Sequence, residues 1–227
     1  MSIIELKNVS IYQKEKLILS NLNFSIGKGE FVFLIGKVGS GKSSLLKTIY
    51  ADLPLLSGDI EVCGFNISKI TSRSIPYLRR KLGIIFQDFQ ILSDRNIHDN
   101  LEFALKVIGK KSKSLNKLTI SDTLKKVDMV DKDQKMPHEL SGGELQRIAI
   151  ARAIINAQEI IIADEPTGNL DAESSIKVME IFKNLCSENK TVFVATHNYD
   201  IVKKYATRVL KIELMNIIEL HNIDELN

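Results

Sequence analysis

The chain has 227 residues, of which 44% are hydrophobic and 26% charged, and its formal net charge is only +3. This composition is typical of a globular protein with a sizeable core, and it excludes wholesale disorder. So small a net charge does not by itself attract nucleic acid, and no apolar run approaches the roughly 20 residues that cross a bilayer. We therefore expect a protein that is neither a membrane channel nor a nucleic-acid binder.

The first part of the chain predicts strands, then a glycine-rich loop, then a helix. Residues 3–35 alternate apolar and polar in the stretches IIELKNV, LNFSI and FVFLI. From Ser43 the apolar residues of SSLLKTIY recur at helical spacing, and the region of Pro54 and Gly58 ends that pattern. Strand, loop and helix therefore form the first unit.

The rest of the chain predicts a helical insert and then a buried parallel sheet. The insert contains NIHDNLEFALKVI, TISDTLKKVDMV and GGELQRIAIARAII, all with helical spacing. After it, EIIIADE and KTVFVATH are almost wholly apolar and flank the helical stretch AESSIKVMEIFKNLCSE. Such runs indicate parallel strands joined by a crossover helix, and the final VLKIELMNIIEL predicts a hairpin.

The loop after FVFLI has the sequence of a phosphate-binding loop. Residues 36–43, GKVGSGKS, match the pattern G-x-x-x-x-G-K-[ST] between a predicted strand and a predicted helix. Glycines let the backbone approach a phosphate, and the helix N-terminus attracts the anion. Lys42 is expected to reach the β- and γ-phosphates, and Ser43 to bind Mg²⁺. The candidate ATP-binding residues here are Gly36, Lys37, Val38, Gly39, Ser40, Gly41, Lys42, Ser43 and Ser44.

Two carboxylates and a histidine follow the apolar strands. Asp164 and Glu165 end the run IIIADE, and His197 ends VFVATH. Ligands of open α/β sheets bind at the carboxyl ends of strands, so we expect Asp164 near Mg²⁺ and Glu165 to polarise the attacking water. His197 is expected near the γ-phosphate. The alternatives are two solvated charges and a structural histidine, but the phosphate loop in the same chain favours the catalytic interpretation.

A second motif combines serine, two glycines and glutamate before a helix. Ser141 and Glu144 have the spacing of a capping box, with Ser at the N-cap and Glu at N3. Capping does not explain Gly142 and Gly143, which weaken a helix start but leave its backbone N–H groups open to an anion. We therefore expect a second anion-binding helix start.

Together these motifs resemble the nucleotide-binding domain of the ABC ATPase superfamily, over essentially the whole chain. GKVGSGKS resembles Walker A, LSGGE the signature, IIIADE Walker B, and GNLD, ending at Asp171, the D-loop. Gln87 matches the Q-loop glutamine. The resemblance implies that the metal ion is held by Ser43, by Gln87 and, through a water molecule, by Asp164. Tyr12 matches the aromatic that stacks on adenine, although a strand tyrosine is often only packing.

The resemblance implies an α/β fold with a P-loop core, an N-terminal antiparallel β subdomain and an inserted helical subdomain. Residues 1–87 and 158–227 would form the core with its β subdomain, and residues 88–157 the helical signature subdomain. The resemblance further implies an ATP-bound homodimer, in which Ser141, Gly142, Gly143 and Glu144 contact the ATP of the opposite subunit and Asp171 lies between subunits.

Two signature positions depart from the superfamily pattern. Glu144 stands at the position where the superfamily signature often has Gln. Leu145 stands at the next position, where close relatives often carry Gln after Glu. A carboxylate near ATP is repulsive, but a capping box would fold Glu144 back onto its own helix. We expect weaker polar contacts there rather than lost function.

Closer placement comes from EPTGNLD and from SIPYLRRKLGIIFQDFQILSDRNIHDN. These stretches resemble the FtsE family of cell-division ATPases, which pair with the integral membrane protein FtsX to regulate cell-wall hydrolysis. The resemblance implies a peripheral location on the cytoplasmic side of the bacterial inner membrane. Phe89, Ile91 and Leu92 are candidates for docking the partner, with ordinary core packing as an equal alternative.

Two other functions remain open at this point. Lipoprotein-release and macrolide-export ATPases share EPTGNLD, so an exporter subunit is the main alternative. DNA-acting ABC-type ATPases usually carry a long coiled coil between the two nucleotide motifs, and the interval from Ser43 to Ser141 is too short for one. We therefore expect no nucleic-acid partner.

The remaining features are read as structural. Lys110, Lys111, Lys113 and Lys117 are expected to form a solvated turn, with contact to anionic lipid heads as the less favoured alternative. Cys63 and Cys186 lack metal-ligand spacing and are expected to be inert reduced thiols. The opening MSIIELKN shows no secretory pattern, so a cytoplasmic location is expected.

Overall fold

The computed structural model describes residues 2–110 and 112–220 as an α/β protein with two sheets. The strands are β1 (Ser2–Gln13), β2 (Lys16–Gly27), β3 (Phe31–Ile35), β4 (Ser57–Val62), β5 (Phe65–Asn66), β6 (Leu82–Ile85), β7 (Ile160–Asp164), β8 (Thr191–Thr196), β9 (Arg208–Glu213) and β10 (Asn216–Leu220). The helices are α1 (Lys42–Ile49), α2 (Ile75–Lys81), α3 (Ile97–Val107), α4 (Lys113–Lys126), α5 (Gly142–Ile154), α6 (Ala172–Ser187) and α7 (Tyr199–Tyr205).

The N-terminal strands form an antiparallel sheet in the order β2-β1-β4-β5. The long hairpin of β1 and β2 runs from the pair Ser2 and Gly27 to the pair Gln13 and Lys16, so Tyr12 and Gln13 end β1 just before the turn. This sheet is the N-terminal antiparallel β subdomain of the predicted fold, and that part of the prediction is confirmed.

The second sheet has six strands in the order β10-β9-β3-β8-β7-β6. Strands β9, β3, β8, β7 and β6 are parallel, and β10 pairs antiparallel with β9 as the predicted hairpin. The carboxyl ends of β3, β8 and β7 therefore lie side by side at one edge. The residues that follow these three strands meet there, which is the placement the sequence predicts for the site.

The six-stranded sheet separates two hydrophobic cores. On β3, Phe31, Phe33 and Ile35 pack into one core, while Val32 and Leu34 pack into the other. A strand buried on both faces needs an unbroken apolar sequence, and FVFLI supplies it.

The chain between β6 and β7 holds the predicted helical insert. Its described residues form α3, α4 and α5, with short 3₁₀ turns and no strand. Asn96 caps α3 and Ser141 caps α5, each side chain accepting a hydrogen bond from the backbone N–H three residues on. None of the helices in the described part of the chain is both long and apolar enough to cross a membrane.

Some elements were not predicted. The helix α2 has only seven residues and contains Pro76, which in a sequence suggests a break but is favourable in the first turn of a helix. Strand β4 begins in the region of Pro54 and Gly58, where the sequence predicts only the end of the first helix, and β5 follows it.

The thiols of Cys63 and Cys186 are free, and burial raises the pKa of Cys63 to about 11, which suits an unreactive thiol.

The turn between β9 and β10 generates a stability prediction. Leu214 and Met215 form its two-residue loop with φ of 48° and 62°, a conformation that favours Asn and Gly. Leu214 is 93% exposed, so its side chain gains little by packing. We expect Leu214→Asn to raise the free energy of unfolding by about 1 kcal/mol, measured by urea denaturation.

The matched control is Ile218→Asn in strand β10, where the side chain is 40% exposed. That change removes a strand-favouring residue and should not stabilise the protein. A midpoint for Leu214→Asn at or below that of the unchanged protein would contradict the strain argument.

Candidate active site

The loop after β3 is shaped by Gly41, the residue that precedes α1. Its φ is 107°, and a Cβ there would lie 2.8 Å from Cγ2 of Ile18 in the β1–β2 hairpin, so only glycine fits without displacement. The helix α1 then starts at Lys42, and no acidic residue occupies its described first turn. The positive end of the helix dipole is thus available to an anion.

Lys42 is held by the backbone of its own loop. Its Nζ donates to the carbonyl of Gly36 at 2.8 Å and to that of Lys37 at 3.4 Å, and lies 3.4 Å from Oε1 of Glu165. Its side chain is only 7% exposed. A buried ammonium with these partners is able to transfer its hydrogen bonds to phosphate oxygens that enter the loop.

Glu165 lies at the centre of a small charge network. Its backbone adopts φ of 48°, and its N–H donates to the carbonyl of Ala195 at the end of β8. The carboxylate accepts from the backbone N–H of His197 at 3.2 Å, and Nδ1 of His197 lies 2.8 Å from Oε1. One carboxylate thus touches both Lys42 and His197, the arrangement of a positioned base with an orienting partner.

Asp164 lies deeper, beside Ser43. Burial raises the pKa of Asp164, opposed by a hydrogen bond with the Ser43 side chain, and the neighbouring charge of Glu165 raises it further. Oδ1 of Asp164 is buried and has no hydrogen-bond partner among the described residues. An unpartnered buried carboxylate oxygen next to a hydroxyl is a donor set that suits Mg²⁺.

A cavity of about 320 Å³ joins Lys42, Ser43, Glu165 and His197, whereas Asp164 does not line it. It is lined by Gln13, Ile18, Val38, Gly39, Gly41, Lys42, Ser43, Ser44, Gln87, Glu165 and His197. The structure therefore brings together the phosphate loop, Gln87, Glu165 and His197, as the sequence predicts. Tyr12 lies half-buried in β1 opposite Leu17, while its neighbour Gln13 lines the cavity, so adenine stacking by Tyr12 stays a prediction.

The signature residues lie outside this cavity. In the described chain, none of residues 141–144 lines it. The capping box is present: Glu144 N–H donates to Oγ of Ser141 at 3.3 Å, and Ser141 N–H donates to Oε2 of Glu144 at 2.8 Å. The pKa of Glu144 is lowered to about 2. The hydrogen bond from the Ser141 N–H is the largest cause, and the hydrogen bond from Lys132, at 3.0 Å, is the next. Glu144 is thus paired with Lys132 and the Ser141 N–H within its own chain, and its effect on ATP contacts stays a prediction.

The two signature glycines have different physical roles. A Cβ on Gly143 would lie 2.3 Å from Oγ of Ser174, so this glycine is required by the close approach of α5 and α6. A Cβ on Gly142 would have no neighbour closer than 3.9 Å. Packing therefore explains Gly143, but it does not explain Gly142, which is exposed at the helix start.

Asp171 caps the helix α6 in this chain. Its Oδ1 accepts from the Ser174 N–H at 2.9 Å and its Oδ2 from the Ser174 hydroxyl at 2.7 Å, and these bonds lower its pKa. The carboxylate is exposed at the surface that includes Leu170 and Gly142. Its predicted contact between subunits stays a prediction.

Sequence reasoning missed the residues that hold the loop after Gln87. Arg152 of α5 donates to the carbonyls of Phe89, at 3.0 Å, and Gln90, and burial lowers its pKa. Asn100 of α3 is 3% exposed; its amide accepts from the Leu92 N–H at 2.9 Å and donates to the Leu92 carbonyl at 3.0 Å. The loop is thus tied to α5 at one end and to α3 at the other.

Comparison with known proteins identifies the family. The family model described as ABC transporter matches residues 19–168. The FtsE cell division ATP-binding protein of Mycobacterium tuberculosis is 42% identical over 200 residues, covering 88% of this chain and 86% of that protein. FtsE of Escherichia coli K12 is 38% identical over 192 residues, covering 85% and 86%. The chain therefore belongs to the ABC transporter family of ATPases, which hydrolyse ATP, and its curated relatives include cell division ATP-binding proteins.

Solved structures support the same fold. The ATP-binding cassette MJ0796, in a dimeric post-hydrolysis state bound to ADP and Pi, has a TM-score of 0.84 and 31% identity, covering 96% of this chain and 97% of that one. The cbiO1 protein of Clostridium perfringens, part of the ABC transporter complex cbiONQ, has a TM-score of 0.90 and 28% identity, covering 99% and 90%. The predicted fold class is thus confirmed.

The different roles of the two glycines generate a paired prediction. Gly142→Ala has room for its methyl group within this chain, so the unfolding midpoint should stay or rise. ATP hydrolysis should fall at least about tenfold, because the added methyl group keeps a phosphate from closely approaching the backbone N–H, which alanine retains. Gly143→Ala meets Ser174 and should cost about 1–3 kcal/mol of stability. Phosphate release and thermal unfolding of both variants separate the two effects. Full hydrolysis by Gly142→Ala would show that no phosphate approaches this backbone closely enough to meet the methyl group.

Proposed function

We propose that this protein is the ATP-hydrolysing subunit of a membrane-associated cell-division complex, in which two copies close on ATP and act on an integral membrane partner resembling FtsX. The partner would regulate cell-wall hydrolysis, with this chain on the cytoplasmic side of the bacterial inner membrane. The observation that carries the proposal is a cavity that holds the hydrolytic residues but none of the signature residues of the same described chain. The FtsE relatives support the cell-division assignment.

ATP would reorganise the charge network of the cavity. Phosphate oxygens compete with the carbonyls of Gly36 and Lys37 for the ammonium of Lys42, which then moves its hydrogen bonds to the nucleotide. Glu165, relieved of that contact, accepts a proton from the attacking water. His197 keeps the carboxylate oriented through its backbone N–H and Nδ1.

The donor set of the site fits a magnesium ion. Ser43 would hold it through the hydroxyl, Asp164 through water, and Gln87 from the cavity wall. The unpartnered buried Oδ1 of Asp164 supports this, since a buried carboxylate oxygen is costly without a cation or donor. When bound, Mg²⁺ neutralises charge on the β- and γ-phosphates.

Substitutions at Lys42 and Glu165 separate binding from hydrolysis. Lys42→Ala removes the phosphate ligand, so we expect loss of ATP binding, measured with a fluorescent ATP analogue. Glu165→Gln keeps the shape but not the base, so we expect ATP binding, a closed dimer on size exclusion, and hydrolysis slowed by about 10² to 10⁴. Unchanged turnover of Glu165→Gln would remove Glu165 from the role of base.

The signature surface suits the opposite subunit. Gly142 is exposed, and the capping box uses the N–H groups of Ser141 and Glu144 but not that of Gly142, which is therefore available to a phosphate. A head-to-tail dimer would bring this surface to the γ-phosphate of the partner. MJ0796 is a dimeric cassette by its own description, which supports this arrangement.

The loop after Gln87 is suited to pass a partner's movement to the site. Leu92 is 38% exposed, whereas Ile91 packs against the core, so Leu92 is the accessible docking residue of the predicted three. Phe89 lies beside the start of the signature helix, and Arg152 joins the same loop to α5. A helix that presses on Leu92 would therefore move the signature as well as Gln87.

The partner is tested by affinity capture of Glu165→Gln with ATP and Mg²⁺ from detergent-solubilised native membranes, followed by mass spectrometry. We expect an FtsX-like protein, lost with Leu92→Asp and retained with the control Leu56→Asp, since Leu56 is exposed in a different part of the chain. An exporter or lipoprotein-release permease instead would place this chain in transport, and capture unaffected by Leu92→Asp would refute the docking role.

A further inference from the structure

The end of the α3–α4 helix pair carries an unusual concentration of positive charge. Residues 103–118, FALKVIGKKSKSLNKL, contain five lysines and no acidic residue. Lys106 lies in the last turn of α3, Lys110 in the turn that follows it, and Lys113 and Lys117 at the start of α4, all four of them exposed. We call residues 103–110 and 112–118 the basic hairpin.

Large apolar side chains are exposed on the same helix ends. Phe103 is 46% exposed, Val107 60%, and Leu115 and Leu118 63% each. Phe103 and Val107 are four residues apart on α3, and Leu115 and Leu118 three apart on α4, so each pair shares one helix face. The buried residues of α4 are different ones, Asn116, Ile120, Thr123 and Leu124, so the two leucines are not needed for its packing.

The two helix ends form one surface. Asn116 is 3% exposed, and its amide donates to the carbonyl of Lys110, which fixes the turn against α4. The hydrogen bond from Lys106 is the main cause of the lowered pKa of Glu102 on α3, and His98 and then Lys113 of α4 make smaller contributions. The lysines and the exposed apolar residues therefore lie on the same two helix ends and the turn that joins them.

Most of this charge is not neutralised within the protein. Lys106 pairs with Glu102 at 2.6 Å. In the described ranges, Lys110, Lys113 and Lys117 form no salt bridge. An ordinary solvated turn explains exposed lysines, but it does not explain four large apolar side chains kept in water beside them.

We propose that the basic hairpin binds directly to the surface of an anionic lipid bilayer. Lysines attract acidic headgroups, and the exposed side chains of Phe103, Val107, Leu115 and Leu118 enter the interface between headgroups and acyl chains. A nucleic acid would match the charge but would leave the aliphatic side chains in water. The inference goes beyond the proposed function, because it requires neither the membrane partner nor ATP.

The test is co-sedimentation of the purified full chain with vesicles of phosphatidylcholine alone or mixed with phosphatidylglycerol. We expect binding to the mixed vesicles only, weakened by salt. Lys110→Glu/Lys113→Glu should lower the affinity at least about tenfold, since each basic residue near such a surface contributes about a fivefold effect. Leu115→Ser/Leu118→Ser should also lower it. The matched control, Lys183→Glu/Lys203→Glu, makes the same charge change at exposed lysines of α6 and α7 and should bind normally.

Basal ATP hydrolysis and the unfolding midpoint of every variant should match the unchanged protein, which excludes misfolding as the cause. The proposal is overturned by absent vesicle binding, by equal binding to the two vesicle types, or by equal loss in the control. Binding of a DNA duplex without binding of vesicles would assign the surface to nucleic acid instead. A failed search for the membrane partner would leave these vesicle results standing, so the two proposals fail separately.

Discussion

The side-by-side order of β3, β8 and β7 determines where the chemistry of this protein can occur. Because the three strands are parallel neighbours, the phosphate loop, His197 and the Asp164–Glu165 pair all emerge at one edge of the sheet. The three strands themselves are almost wholly apolar and buried, so the polar groups of the site lie beyond the strand ends. The site is thus a consequence of the sheet order rather than of any one motif.

Without nucleotide, the charges at this edge compensate one another. Lys42 and Glu165 are both nearly buried, and they lie 3.4 Å apart. Each also has a hydrogen bond to the backbone: Lys42 donates to the Gly36 carbonyl, and Glu165 accepts from the His197 N–H. Buried charges are tolerated only when paired in this way. In the proposed mechanism, a phosphate would replace Glu165 as the partner of Lys42, which would satisfy the ammonium and free the carboxylate. Recognition of ATP and activation of Glu165 would then be parts of one exchange.

The sequence predicted those features that depend on neighbouring residues along the chain. The phosphate loop, the capping box of Ser141 and the apolar strands before Asp164 and His197 are local patterns, and the structure contains them. Arg152 was missed because its partners lie more than sixty positions away in the loop after Gln87. Gly143 was interpreted as an anion site, whereas its contact with Ser174 depends on how α5 packs against α6, which no local spacing reveals.

The helix α3 connects the two surfaces at which this protein is proposed to meet a membrane. Its first turns fix Leu92 through Asn100, and its last turn belongs to the basic hairpin, with Val107 about 10 Å from Asn100 along the helix axis. A lipid surface held at one end would limit the orientations in which a partner helix approaches Leu92 at the other. Such orientation requires a rigid connection, and the buried Leu101 and Leu105 anchor α3 to the core between the two ends.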